Sequence, residues 1–278
     1  MAKVIVVTNF SVASRNALDY TCRFLHNPTT SVLLLNIFFF PGSFTGDPIA
    51  IAGMSETIMN DAAKLDEELV WVKQHHPQIN ITTEMATGVF IDELRQRALE
   101  GDTAFIVMGT EGRYSDMLSW DTNIIDAFVD LNTPVLIIPQ KVTFRPLQKI
   151  AFALNYYRPN LRVPIEMIRK IINFTKARLY VINVVSPTEI ITDEAKERKL
   201  KIKETIADLS PTYYEPSFEN VINTIDQFTA SEMIDMLIVI PSRHGIWYNI
   251  FQKSHTRSIV HLNTLPILSL HREGGFVE

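Results

Sequence analysis

The chain has 278 residues, 46% of them hydrophobic, with a formal net charge of −5 at pH 7 and a single cysteine, Cys22. Its length predicts two domains of ordinary size, and its acidic balance argues against a nucleic-acid-binding protein, which usually has a basic surplus. No apolar run reaches the ~18 residues of a membrane-spanning helix. The first residues lack the long apolar core of a signal peptide, so we expect a protein without membrane association.

The first half alternates short apolar runs with amphipathic segments. Apolar runs without polar alternation are typical of strands that are covered on both faces of a parallel sheet. They predict strands over residues 4–7, 32–38, 79–85, 105–108 and 135–138. The helical spacing of apolar residues predicts helices over residues 13–26, 55–76, 88–99 and 123–131, the first of them capped by Ser11. The glycines and prolines between Pro41 and Gly53 predict a loop.

The second half repeats this order. Strands are predicted over residues 150–154, 179–185, 237–240 and 267–270, and helices over 164–175 and 192–209, while residues 211–223 have no clear pattern. The alternation of strand and helix predicts an α/β fold with right-handed crossovers. We therefore expect two similar doubly wound domains, over residues 1–140 and 147–271, each with a mostly parallel sheet.

Repeated motifs indicate that one unit is used twice. Gly109 and Pro134 are 25 positions apart, and so are Pro241 and Pro266. In both halves one asparagine follows the first strand and another ends the second strand: Asn9 and Asn36, then Asn155 and Asn183. Open parallel sheets bind ligands beyond the carboxyl ends of their strands, so Asn9 and Asn36 are candidate ligand contacts. The alternative is that each of them bonds the local backbone.

Four segments of the first half resemble a known family. They are Val4-Ile-Val-Val-Thr-Asn-Phe-Ser11, Leu33-Leu-Leu-Asn-Ile37, Ile106-Val-Met-Gly-Thr-Glu-Gly-Arg113 and Thr133-Pro-Val-Leu-Ile-Ile138. In their order and spacing the chain resembles the universal stress protein family in its tandem two-domain form. The resemblance implies a cytoplasmic protein with a five-stranded, mostly parallel sheet in each half. It also implies that the two halves pack as an intramolecular pseudo-dimer through their last strands. It leaves open whether two chains also form a homodimer.

The resemblance also implies a place for an adenine nucleotide. One branch of the family binds ATP through Gly-x-x-Gly, nine further residues and Gly-Ser/Thr, and the other branch lacks the motif and does not bind ATP. Gly109-Thr-Glu-Gly112 supplies the first pair, and such glycines let backbone N–H groups approach a phosphate. Asn9 and the backbone near Ile37 would meet the base or ribose. The positions implied for the nucleotide, with Mg²⁺, are Thr8, Asn9, Ile37, Gly109, Thr110, Gly112, Arg113, Thr122 and Asn123.

The chain departs from the nucleotide-binding pattern. Asn9 stands where the nucleotide binders usually have Asp, and Asp121 replaces a glycine after a spacer that is one residue short. The Asp121 carboxylate would repel a phosphate, help to hold a divalent cation or cap the following helix. Thr122 keeps the hydroxyl of the motif and is an alternative cap for that helix. In the second copy Pro241-Ser-Arg-His244 replaces the first glycine pair, so we expect that copy to have lost the site.

Three functions remain open at this point. The first is a regulatory stress-response protein, not an enzyme, that binds one adenine nucleotide, such as ATP with Mg²⁺, in residues 1–140. The second is a protein-interaction module of the same family without a nucleotide, whose protein partners the sequence does not name. The third is a slow ATPase in which Glu111 or Asp121 acts with Mg²⁺. The sequence contains no lysine-bearing phosphate loop, no dinucleotide fingerprint and no metal-binding histidine spacing.

Overall fold

A computed structural model describes residues 3–25, 30–39, 48–111, 120–157, 163–184, 191–216, 221–241 and 264–271. The chain divides into two compact units. The first contains Met1–Glu111, Met117–Ala127 and Val135–Phe144, and the second contains Gly112–Asp116, Phe128–Pro134 and Arg145–Glu278. Each unit is built on a set of parallel strands.

The first unit has five parallel strands in the order β3-β2-β1-β4-β5. They are β1 (Lys3–Val7), β2 (Ser31–Phe38), β3 (Asn80–Thr87), β4 (Thr103–Thr110) and β5 (Val135–Pro139). The apolar run of β1 is completely buried from Val4 to Val7, and β1 is paired on both sides, with β2 and with β4. The predicted five-stranded parallel sheet is confirmed.

Four described helices lie between these strands in chain order: α1 (Val12–Phe24), α2 (Pro48–His75), α3 (Phe90–Leu99) and α4 (Trp120–Asp130). Helix α1 is capped as predicted, because the Ser11 side chain accepts a hydrogen bond from the Ser14 backbone N–H at 3.2 Å. It packs mainly on β4 and β5. The Asn16 amide donates to the carbonyls of Pro139 and Val142 at 3.1 and 2.8 Å, which fastens α1 to the end of β5.

Helix α2 is longer than predicted. It begins at Pro48, so the prediction of a loop is wrong for residues 48–53. Proline is favoured at the start of a helix, where its missing N–H would have had no partner. Gly53 lies inside this helix, and nothing lies within 4 Å of the position of its Cβ atom. Further along α2, the buried Glu68 pairs with Arg15 of α1 and joins the two helices.

The second unit repeats the topology, with parallel strands in the order β8-β7-β6-β9-β10. They are β6 (Lys149–Leu154), β7 (Arg178–Asn183), β8 (Thr212–Tyr214), β9 (Met236–Val239) and β10 (Ile267–Ser269). Its described helices are α5 (Ile165–Thr175), α6 (Asp193–Thr205) and α7 (Val221–Ser231). The segment without a clear pattern contains β8 and the start of α7. In the part of the chain that the structure describes, no helix is both long and apolar enough to cross a membrane.

Candidate functional site

The strand order of the first unit places a crevice between β1 and β4. The chain passes from β1 to β2 on one side, whereas β4 lies on the other side. Open parallel sheets bind ligands beyond the carboxyl ends of the strands at such a reversal. The last residues of β1 and β4 are in register. Thr8 and Asn9, which follow β1, therefore lie level with Gly109 and Thr110, and four of the predicted residues meet at one edge.

The turn from β1 into α1 is held by its own side chains. The buried Thr8 hydroxyl accepts a hydrogen bond from the Phe10 N–H at 3.0 Å and donates to the Ser14 Oγ at 3.1 Å. Asn9 is exposed, and its Oδ1 accepts from the Ser11 N–H at 3.2 Å, which forms an Asx-turn. The Thr8 side chain is therefore used inside the protein, whereas the Asn9 Nδ2 group has no acceptor among the described residues.

The end of β2 presents two polar features beside this turn. The ladder with β1 ends at Leu35, whose carbonyl accepts the Thr8 N–H at 2.9 Å, so the Ile37 backbone extends beyond β1. Asn36 is buried and donates from Nδ2 to the Thr8 carbonyl at 2.9 Å, which fixes the orientation of its amide. Its Oδ1 atom is buried without a hydrogen-bond partner among the described residues. Such an orphaned acceptor costs about 1–3 kcal/mol.

Gly109 lies where β4 passes the first turn of α1. A Cβ atom added there would be 2.1 Å from the Ala13 carbonyl oxygen and 2.7 Å from the Ser14 nitrogen. The absence of a side chain is therefore required for β4 to pack on α1. This packing role is independent of the phosphate role that the resemblance implies. The next residue, Thr110, is buried, and its carbonyl accepts from the Gln140 N–H at 2.8 Å.

Trp120, at the start of α4, is the residue of this site that the sequence did not indicate. Its indole N–H donates to the Gly109 carbonyl at 2.8 Å, and its ring packs edge-on against Phe90 with 5.7 Å between centroids. Backbone groups of successive strand residues alternate in direction. Since the Thr110 carbonyl bonds towards β5, the Gly109 carbonyl faces β1. The indole therefore lies at the crevice between β1 and β4.

The remaining predicted contacts lie before α4 or in its first turn. Thr122 and Asn123 are in the first turn and are half-buried. Because the helix already includes Trp120, Thr122 is not its N-cap residue, and the prediction of that cap is wrong. Gly112 and Arg113 lie outside the described residues.

Acidic side chains near the crevice do not assemble a metal site in the part of the chain that the structure describes. No group of three or more His, Cys, Asp or Glu side chains there is placed to hold a metal ion. Glu111 is exposed just beyond β4, and the side chain of Asp121 lies outside the described residues. The groups that the edge does present are hydrogen-bond donors and acceptors, which suit a polar ligand.

At the equivalent edge of the second unit the corresponding acceptors are bonded to the protein itself. Asn155 repeats the Asx-turn and accepts from the Tyr157 N–H at 2.9 Å. Asn183 Oδ1 accepts from the Tyr156 N–H at 3.3 Å, so this acceptor is used. Tyr156 is completely buried, and its carbonyl accepts from Arg198 of α6 at 3.3 Å. The two edges therefore differ, although their sequences are related.

Solved structures share this fold along nearly the whole chain. A universal stress protein from Archaeoglobus fulgidus DSM 4304 is 14% identical, and the match covers 97% of this chain and 96% of that chain with a TM-score of 0.66. A functionally unknown protein from Pseudomonas aeruginosa PAO1 is 13% identical, with 98% and 92% of the two chains covered and a TM-score of 0.53. A protein provisionally named a universal stress protein, from Pseudomonas aeruginosa UCBPP-PA14, is 14% identical, with 97% and 92% covered and a TM-score of 0.52.

No family model and no curated protein sequence matches the chain. Identities of 13% and 14% establish the fold alone. The resemblance in fold that the sequence predicts is thus confirmed over both units.

Proposed function

We propose that this chain, which has the tandem fold of the universal stress proteins, is a regulatory binding protein that holds one adenine nucleotide at the carboxyl edge of the first sheet. The observation that supports this most directly is the buried Oδ1 atom of Asn36, which has no hydrogen-bond partner among the described residues and lies beside the Ile37 backbone that β1 leaves unpaired. Buried polar atoms in folded proteins almost always have a partner. A bound ligand would supply one.

An adenine ring matches the groups at this edge. Its exocyclic amine donates hydrogen bonds, and the adjacent ring nitrogen accepts one. Asn36 Oδ1 offers an acceptor, and the Ile37 backbone offers a donor and an acceptor beyond the end of β1. The exposed Nδ2 group of Asn9 offers a donor for a ribose hydroxyl. The edge therefore has partners for the exocyclic amine and one ring nitrogen of adenine and for one ribose hydroxyl.

Binding is proposed for the first unit only. In the second unit the equivalent acceptor, Asn183 Oδ1, is already bonded to the Tyr156 N–H, and Tyr156 itself is completely buried. We therefore expect about one ligand per chain.

We further propose that the protein acts by binding and not by turnover. The groups assigned to the ligand are amides and backbone, which recognise a nucleotide but do not transfer a proton at neutral pH. Incubation with Mg-ATP tests this part. Steady phosphate release that Glu111→Gln abolishes would contradict it and favour a slow ATPase.

Calorimetric titration with AMP and with Mg-ATP, on protein freed of co-purified nucleotide, tests the binding proposal. Asn9→Ala should weaken binding about five- to tenfold, which corresponds to a hydrogen bond of about 1 kcal/mol. Asn155→Ala is the matched control, because it removes the same Asx-turn from the second unit, and it should leave the affinity unchanged. Absence of binding by any adenine compound up to millimolar concentration would refute the proposal and favour a protein-interaction module of the same fold.

A further inference from the structure

We propose that Phe10 is a positioning residue for this site. The turn from β1 into α1, residues 8–11, has an open form and a closed form, and the nucleotide binds only to the open form. In the open form, which the first unit adopts, the Asn36 Oδ1 atom has no hydrogen-bond partner among the described residues. In the closed form, which the equivalent turn of the second unit adopts, the corresponding acceptor is occupied. The inference rests on the proposed function and adds a means of regulating that site.

Phe10 is held in a backbone conformation that its side chain disfavours. Its φ is 61°, in the left-handed region that bulky residues rarely adopt and that glycine enters readily. Two hydrogen bonds hold the turn in this form. The Phe10 N–H donates to the Thr8 hydroxyl at 3.0 Å, and the Ser11 N–H donates to Asn9 Oδ1 at 3.2 Å. Such conformations persist only where the surroundings enforce them, and they cluster at ligand sites and switch regions.

The second unit has a related turn without this strain. Tyr156 stands at the equivalent position and is not among the described residues whose φ is positive. The Asx-turn is retained, since the Tyr157 N–H donates to Asn155 Oδ1 at 2.9 Å. The Tyr156 N–H, however, donates to the Oδ1 atom of Asn183 at 3.3 Å. Related sequences thus support both forms, which differ in the sign of one φ angle and in the acceptor of one N–H group.

The aromatic ring lies against the equivalent helix in both forms. Lys64 of α2 lies over the Phe10 ring, with its Nζ 5.1 Å from the ring centre. Lys199 of α6 lies over the Tyr156 ring at 5.8 Å. Both helices follow the second strand of their unit. A change of form therefore does not require the ring to leave its helix.

Opposing contributions balance the two forms in the first unit. The closed form would occupy the Asn36 acceptor and relieve the left-handed φ, and both changes favour it. The open form keeps the Phe10 N–H on the Thr8 hydroxyl, which the second unit lacks because Leu154 stands there. A ligand that donates a hydrogen bond to Asn36 finds its acceptor only in the open form, so it shifts the population towards that form. The apparent affinity then depends on the fraction of molecules whose turn is open.

Titration of Phe10→Gly and Phe10→Ala with AMP tests the inference. Both variants lose the ring, and only alanine disfavours the left-handed conformation. We expect Phe10→Gly to bind AMP about fivefold more tightly than Phe10→Ala, the equivalent of about 1 kcal/mol. If every folded molecule had the open turn, the two variants would differ in the free energy of unfolding and bind AMP equally.

Met233 supplies the matched control in the second unit. It is 69% exposed and has a φ of 53°, so glycine relieves the same kind of strain there. Met233→Gly and Met233→Ala should differ in the free energy of unfolding, and both should bind AMP as tightly as the unaltered protein.

The outcomes separate this inference from the function on which it rests. AMP affinities that are equal in the two folded Phe10 variants, or higher in Phe10→Ala, would overturn the inference and leave the proposed function standing. Absence of AMP binding by the unaltered protein would overturn both. If Phe10→Ala does not fold, Phe10→Asn and Phe10→Leu replace the pair, because asparagine tolerates the left-handed region and leucine does not. Phe10→Asn should then bind AMP more tightly, and equal affinities would again overturn the inference.

Discussion

Replacement of Gly109 by alanine tests how closely β4 and α1 are packed. The added Cβ atom would be 2.1 Å from the Ala13 oxygen, about 1.3 Å short of the 3.4 Å at which ordinary contact begins, and 2.3 Å from the Ala13 carbonyl carbon. Both atoms belong to the backbone, so α1 itself must move. Asn16 resists that movement, because it donates to the carbonyls of Pro139 and Val142. Overpacking usually costs about 1–3 kcal/mol, and we expect a loss at or above the upper end.

Urea denaturation measures this loss. In a Trp247→Phe background the fluorescence of Trp71 and Trp120 follows the first unit, and the free energy of unfolding is extrapolated to water. Gly53→Ala is the matched control, since nothing lies within 4 Å of that Cβ position and alanine stabilises a helix interior by about 0.5–1 kcal/mol relative to glycine. The two changes should have opposite signs. A loss below about 1 kcal/mol for Gly109→Ala would refute the packing argument.

Three further predictions concern titratable groups. Burial raises the pKa of the Asp19 carboxyl, but hydrogen bonds from Arg23 and His76 outweigh burial and leave the folded-state pKa lowered. Its contribution to stability is therefore present above the ordinary value of about 4 and lost as the pH falls through the lowered value, so Asp19→Asn should flatten the acid limb of unfolding free energy against pH. Burial raises the pKa of the Cys22 thiol to about 12, so a thiol reagent at mildly alkaline pH should label it only as fast as the protein unfolds. The Tyr156 hydroxyl is buried without a partner among the described residues, so in denaturation Tyr156→Phe should be neutral or stabilising by about 1 kcal/mol, and a clear loss would contradict this.

The strands could be predicted from the sequence because their chemistry is local. The run Val4–Val7 is apolar without alternation, and a strand covered on both faces buries all of it. The start of α2 could not be predicted, because proline and glycine usually interrupt helices. Pro48 is compatible with α2 because it is the first helical residue, and Gly53 lies within the helix. In the second unit β8 is only three residues long, too short for a periodic pattern to show.

The candidate site could likewise be predicted from the sequence only in part. The meeting of Asn9 with Gly109 follows from topology, since residues after parallel strands lie at one edge of the sheet. The position of the Trp120 indole does not follow, because it depends on the path of the chain between β4 and α4. The packing role of Gly109 does not follow either, because it depends on the distance between β4 and α1, which no local pattern records.

Comparison of the two units indicates that the Thr8 side chain is the reason why the Asn36 acceptor is left open. In the first unit the Phe10 N–H donates to the Thr8 hydroxyl at 3.0 Å, and Asn36 Oδ1 has no partner among the described residues. In the second unit Leu154 stands at the position of Thr8 and has no hydroxyl. There the equivalent N–H, that of Tyr156, donates to the equivalent asparagine at 3.3 Å. The hydroxyl therefore decides which acceptor the turn uses.

Thr8→Val, which keeps the side-chain shape and removes the hydroxyl, should let the Phe10 N–H bond to Asn36 and close the acceptor. Affinity for AMP should fall about five- to tenfold, the equivalent of one hydrogen bond of about 1 kcal/mol. Stability should change little, because the N–H keeps a partner and the new bond to the Asn36 acceptor offsets the lost hydrogen bond from Thr8 to Ser14. Thr21→Val, which removes a buried hydroxyl bonded to the Ala17 carbonyl at 2.7 Å, should instead reduce stability and leave the affinity unchanged. If Thr8→Val binds AMP as tightly as the unaltered protein, the open acceptor of Asn36 plays no part in recognition, and the main support for the adenine site is lost.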